Sequence, residues 1–202
     1  MGILALSLLI VTLILFGSQS ISAVTYTRWG QTSCPTDSTG ATLVYEGMMA
    51  GSKHSESGGG AQYICLPKEP EYWSVGVGTP RTESFLYGAE YQLRLYPSQV
   101  EYTAPCAVCL INSNKSSVIM IPAKVTCPRS WTLEYNGYLI AEYYAHPNNV
   151  LYECLDINVE TVPGTSRLDP EASIHHVTST CHGLPCPPYR TTKELACAVC
   201  SK

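Results

Sequence analysis

Two identical tetrapeptides hold the residues best suited to chemistry: Cys106-Ala107-Val108-Cys109 and Cys197-Ala198-Val199-Cys200. A Cys-x-x-Cys element serves three kinds of chemistry. It supplies half of a four-thiolate zinc site, it forms a redox dithiol where a helix N-terminus lowers a thiol pKa, or it anchors disulfides. A zinc site spanning both elements has the right spacing within each pair, but the pairs lie half the chain apart and six further cysteines remain unexplained. A redox dithiol needs a βαβ setting, which the sequence does not show.

The N-terminus decides between these uses. Ile3 to Phe16 is apolar except for Ser7 and Thr12, and small or polar residues follow through Gly17, Ser18, Ser20, Ser22 and Ala23. This is the pattern of a secretory signal peptide over residues 1–23, cleaved near Ser22 or Ala23. The apolar run is shorter than the roughly 20 residues of a membrane span, so no membrane association is expected after cleavage. The leader holds no charged side chain, and the mature chain keeps the formal net charge of −4 and all ten cysteines. An even cysteine count behind a signal peptide reads as a disulfide framework in an oxidising, extracellular setting. The acidic balance lacks the basic clusters that nucleic acid requires.

Other residue types offer less. The five histidines are His54, His146, His175, His176 and His182. His175-His176 with His182 is the densest group, but neighbours on a strand point to opposite faces, so no metal site and no cofactor is expected. Gly-x-Ser-x-Gly and His-Glu-x-x-His are absent, and the carboxylates of Glu56, Asp156, Glu160, Asp169 and Glu171 show no paired signature, so the chain is read as non-enzymatic. Tyrosine dominates the aromatics, with 14 Tyr against 2 Phe and 3 Trp. It suits half-buried strand positions. A cluster such as Tyr135, Tyr138, Tyr143 and Tyr144 also suits a sugar- or protein-binding face. Asn114-Lys115-Ser116 is the one Asn-x-Ser/Thr sequon, a glycosylation candidate in a secreted chain.

The elements that position these residues read as short strands. Thr42–Tyr45, Tyr63–Leu66, the alternating Glu90–Leu95 and Ser117–Ile121 are strand candidates, and the Gly/Ser-rich stretch 51–60 reads as a hairpin tip. Lys68–Thr82 reads as a loop. No long stretch has a helical period, so the fold class is all-β. Landmarks recur in order: Cys34-Pro35 and Cys127-Pro128, Tyr45-Glu46-Gly47 and Tyr135-Asn136-Gly137, Cys65-Leu66 and Cys154-Leu155, then the closing tetrapeptides. Their offset stays near about 91 residues, which marks an internal duplication. The expected organisation is a leader, 1–23, then two half-repeats, 24–116 and 117–202, forming two pseudo-symmetric β subdomains packed as one unit. Cys181 and Cys186 have no counterpart in the first half, and their closeness makes them natural partners of each other.

The combination of Ile121-Pro122, Cys127-Pro128, Trp131, Gly137-Tyr138 and a terminal Cys-x-Val-Cys resembles the C-terminal non-collagenous domain of type IV collagen. Arg28-Trp29-Gly30, Tyr87-Gly88-Ala89-Glu90-Tyr91, Pro105-Cys106-Ala107-Val108-Cys109 and Leu184-Pro185-Cys186-Pro187-Pro188-Tyr189 are closer still to the matching region of short-chain, spongin-type collagens and its stand-alone relatives. The chain has no Gly-X-Y triplets and forms no collagen helix. The first half also lacks a tryptophan matching Trp131.

Sequence alone leaves roughly nine hundred full cysteine pairings open. The resemblance implies one of them: Cys34–Cys109, Cys65–Cys106, Cys127–Cys200, Cys154–Cys197 and Cys181–Cys186. It also implies a secreted, non-enzymatic matrix protein acting by self-association, as a homo-oligomer, or by docking to extracellular matrix proteins or glycans. Two other readings follow from the residues: a lectin-like or defence-related glycan-recognition protein, for which the tyrosines speak, and a hydrolase, which requires a clustered acid–base pair.

Overall fold

A computed structural model describes residues 23–36, 40–72, 84–111, 114–166 and 171–202. The leader expected over residues 1–23 lies, apart from Ala23, outside the described residues, as does much of the loop expected between Lys68 and Thr82.

The described residues form ten strands and no helix, so the chain is all-β. The strands are β1 (Val24–Trp29), β2 (Ala41–Gly51), β3 (Ile64–Pro67), β4 (Tyr87–Tyr91), β5 (Pro105–Ile111), β6 (Val118–Pro122), β7 (Thr132–Ala141), β8 (Glu153–Asp156), β9 (Ala172–His176) and β10 (Ala196–Ser201). Three of the expected strands fall within or over β2, β3 and β6, and the Gly/Ser-rich stretch joins the antiparallel pair β2 and β3.

The fourth expected strand ends early. β4 stops at Tyr91, and the chain turns with the amide of Tyr96 donating to the carbonyl of Leu93. Leu93 is buried in that turn rather than on a strand face, and Pro97 removes a donor that a continuing ladder would need.

Seven strands close on themselves in the order β7-β8-β1-β5-β2-β4-β9, with β9 pairing back onto β7. This is a small barrel with no edge along its circuit. β3 extends the sheet from β2, and β10 followed by β6 extends it from β7. Each barrel strand sends a side chain into one core, including Trp29, Met49, Tyr91, Cys106, Ile140, Leu155 and Ile174. Side chains of opposite orientation, such as Tyr26, Ala107, Cys109, Leu139, Cys197 and Val199, form a second core. This is the period-2 alternation of strands buried on both faces.

The two stretches of chain repeat one pairing order. β5 lies between β1 and β2, with β3 beyond β2. β10 lies between β6 and β7, with β8 beyond β7. A bulge interrupts both central pairings, skipping Val44 in β2 and Glu134 in β7. The bulge turns the Glu134 carboxylate inward, where it accepts from Tyr26 Oη at 3.1 Å, Lys115 Nζ at 3.2 Å and the Ser201 hydroxyl.

The barrel itself mixes both stretches. β8 meets β1 in parallel at Trp29 and Leu155, and β9 runs parallel to β4. Arg28 locks the first junction. Its Nε and Nη2 each reach Asp156 Oδ2 at 2.8 Å, while Nη1 donates to the Ser33 carbonyl.

Candidate functional site

The ten cysteines form five disulfides: Cys34–Cys109, Cys65–Cys106, Cys127–Cys200, Cys154–Cys197 and Cys181–Cys186. No cysteine is free, so neither a thiolate zinc site nor a redox dithiol exists here. The geometry of the Cys-x-x-Cys element explains its use. Both copies lie on strands, β5 and β10, and residues three apart on a strand point to opposite faces. Cys106 therefore reaches to β3 while Cys109 reaches the other way to the segment before β2. Cys197 and Cys200 repeat the arrangement toward β8 and the segment before β7. Each element is a two-sided clamp.

Asn114 is exposed on the connection between β5 and β6. The four tyrosines weighed both as half-buried strand residues and as one binding face occupy three environments. Tyr135 is buried; its hydroxyl donates to the carbonyls of Thr27 and Cys154. Tyr138 packs against His176 and Tyr96. Only Tyr143 and Tyr144 sit together, with ring centroids 4.6 Å apart. Alternation along β7 and its end at Ala141 separate them.

A cleft of about 320 Å³ opens between β1 and β6. Val24, Tyr26, Val118, Met120 and Val199 make it largely apolar, and Glu153 supplies its carboxylate. Trp29 Nε1 donates to Glu153 Oε2 at 3.0 Å. Burial raises the Glu153 pKa, and the indole hydrogen bond opposes that rise.

The densest group of ligand-type side chains lies where β7 ends. β7 pairs with β9 at Ala141 and His175, which places His175 beside Glu142. A turn closed by the amide of His146 and the carbonyl of Tyr143 folds His146 back onto Glu142. His146 Nδ1 stands 2.9 Å from Glu142 Oε1, and His175 Nε2 stands 4.0 Å from the same oxygen. The loop after β2 arrives from the other side. His54 donates from its backbone amide and from Nδ1 to the Glu171 carbonyl, and its ring centroid is 4.7 Å from that of His146. Asn148 Nδ2 ties the two loops together through the Ser52 carbonyl.

The carboxylate is rigidly held. Glu142 Oε1 accepts from the Tyr143 amide and the Ser173 hydroxyl, and its side chain is 3% exposed. His175 Nε2 is buried with no hydrogen-bond partner. Burial lowers the His175 pKa, and His146, His176 and His54 lower it further, while Glu142 pulls it up. Among the described residues no serine, threonine or cysteine hydrogen-bonds to His146 or His175, so the cluster lacks the nucleophile–base contact of covalent catalysis.

His175 and His176 do point apart, His176 lying against Tyr138 and Tyr96. Sequence reasoning missed Glu142, and it grouped His175 with His176 and His182 rather than with His146. The available signal was the Glu-x-x-x-His spacing, but in a turn rather than a helix that spacing has no regular geometric meaning. No protein-family model matches the chain.

Proposed function

We propose that this is a secreted, non-enzymatic structural protein of the extracellular matrix, a stand-alone relative of the C-terminal non-collagenous domain of spongin-type collagens and more distantly of type IV collagen. It works by associating with copies of itself or by docking onto matrix components. The observation that carries this reading is the disulfide connectivity. The five bonds are, pair for pair, those that the collagen resemblance implies.

Five disulfides also favour an oxidising, extracellular setting. The reading takes residues 24–116 and 117–202 as duplicated β subdomains; the repeated pairing order and the matched bulges support it. Association with a second copy has a suitable element in β6. That strand pairs with β10 alone among the described residues, holds no charged residue and exposes Ile119. Its second edge is a template for another strand.

Size-exclusion chromatography with light scattering, combined with a pull-down from solubilised matrix, tests the proposal. An oligomer, or retention of matrix proteins, supports it. A strict monomer at high concentration that retains no matrix component overturns it.

A second reading, glycan recognition, rests on one observation. Tyr144 is 89% exposed beside Tyr143 and next to a histidine cluster, an arrangement suited to stacking on a sugar ring. A glycan array with no hits removes it.

A further inference from the structure

We propose that Glu142, His146 and His175 form a binding site for one divalent transition-metal ion of the zinc class, which fastens the turn after β7 to strand β9. The inference goes beyond the matrix reading and stands whether or not that reading holds.

The donor geometry comes first. One oxygen of Glu142 and one nitrogen each of His146 and His175 lie within 4.8 Å of one another. Ligand atoms on a tetrahedral ion with bonds of about 2.0 Å are about 3.3 Å apart. The two separations from Glu142 Oε1, 2.9 Å and 4.0 Å, bracket that edge. Small side-chain rotations bring all three donors onto one centre.

Charge is the second argument. The Glu142 side chain is almost wholly buried, and its ion-pair partners among the described residues are His146 and His175, which are cationic only when protonated. A buried carboxylate needs compensation, and a divalent cation supplies it without protonating either ring. His175 Nε2, buried and without a partner, is the atom that gains most, because it exchanges an unmet hydrogen bond for a metal bond.

The surroundings match what metal ligands require. The Tyr143 amide and the Ser173 hydroxyl donate to Oε1 itself and the Ser173 amide reaches Oε2 at 3.4 Å, so hydrogen bonds on both oxygens fix the position of the carboxylate. The His146 and His175 side chains are 28% and 26% exposed, so the cluster lies close to the surface, and a water would complete a four-coordinate ion. Two imidazoles and one carboxylate suit zinc, and also iron, nickel or copper. Disulfide bonding of every cysteine removes thiolate competitors.

The experiment uses the full chain with its disulfides intact, stripped with EDTA and titrated calorimetrically with Zn²⁺. One ion per chain is expected. H146A and H175A should each weaken binding at least tenfold, while H176A and H182A stay within about twofold of the wild type. Co²⁺ should give the visible bands of a four-coordinate site without a cobalt–thiolate band. Wild-type protein alone supplies a further readout, since Zn²⁺ should slow modification of His146 and His175 by diethyl pyrocarbonate and leave His182 unaffected. That readout decides the matter where a variant fails to fold. The proposal is overturned by absence of saturable one-to-one binding, by affinity that H146A and H175A leave unchanged, or by protection that falls on other histidines.

Discussion

Gly47 and Gly137 face the same obstacle in the two stretches of the chain. A Cβ on Gly47 would stand 1.8 Å from the carbonyl oxygen of Leu66, and one on Gly137 would stand 1.8 Å from that of Leu155. Each glycine is opposite the first cysteine of a clamp: Gly47 pairs with Cys106 and Gly137 with Cys197. The repeated Tyr-x-Gly landmark therefore records a close approach of neighbouring backbones, β2 to β3 and β7 to β8.

The glycines consequently tolerate no side chain. Gly47→Ala and Gly137→Ala should each destabilise the fold by about 1–3 kcal/mol or more, since a backbone carbonyl rather than a flexible side chain must move. Guanidinium denaturation of disulfide-intact protein measures the loss. Wild-type stability in either variant would show that the strands separate without cost.

Arg28 and Asp156 hold the parallel junction of β1 with β8. Asp156 is 2% exposed, and its second oxygen accepts the Asn158 amide at 2.8 Å, so its bonding capacity is well used. Removing one partner strands the other charge in a poorly solvated place. Asp156→Ala should cost about 3–5 kcal/mol. The double variant with Arg28→Met should lose less than the sum of the two single losses, because it leaves no unpaired charge. Additive losses in a double-mutant cycle would deny the coupling.

How far the sequence shows this molecule depends on the range of the signal. The all-β class, the strands around Thr42, Ile64 and Val118, and the opposite-facing histidines 175 and 176 follow from local alternation and turn residues. The two-sided use of Cys106 and Cys109 is local too, since it needs only a strand and a spacing of three. Closure of the barrel is not local. It depends on β9 meeting both β4 and β7, and no pattern in Ala172–His176 announces that. The Glu142 cluster inherits the same difficulty, because His175 joins it only through the β7–β9 register. The scattering of Tyr135, Tyr138 and Tyr143 has a simpler cause: residues three apart on β7 face opposite ways, and the chain then leaves the sheet.

The disulfides should differ in worth according to the loops they close. Cys34–Cys109 spans 75 residues, whereas Cys181–Cys186 spans 5. In the loop-entropy account the long bond adds about 4 kcal/mol and the short one about 2 kcal/mol. Paired replacement by serine, Cys34 with Cys109 and separately Cys181 with Cys186, should reproduce that order in guanidinium unfolding. Equal losses would point to strain or solvation in place of loop closure.

Glu153 sets a pH dependence whose sign follows from its environment. Burial raises its pKa above the ordinary 4.5, despite the opposing hydrogen bond from Trp29. Between 4.5 and the raised value the folded chain holds a proton that the unfolded chain has lost. Stability from this group therefore falls as pH rises through that window, and it stays reduced at neutral pH. Glu153→Gln removes the ionisation while its amide oxygen still accepts from Trp29. The variant should be more stable than the wild type at pH 7, and the advantage should shrink as pH falls toward and below 4.5. Melting temperatures of both proteins across this range check the sign. A difference between them that stays constant with pH would mean that Glu153 titrates in the folded protein as it does in the unfolded chain.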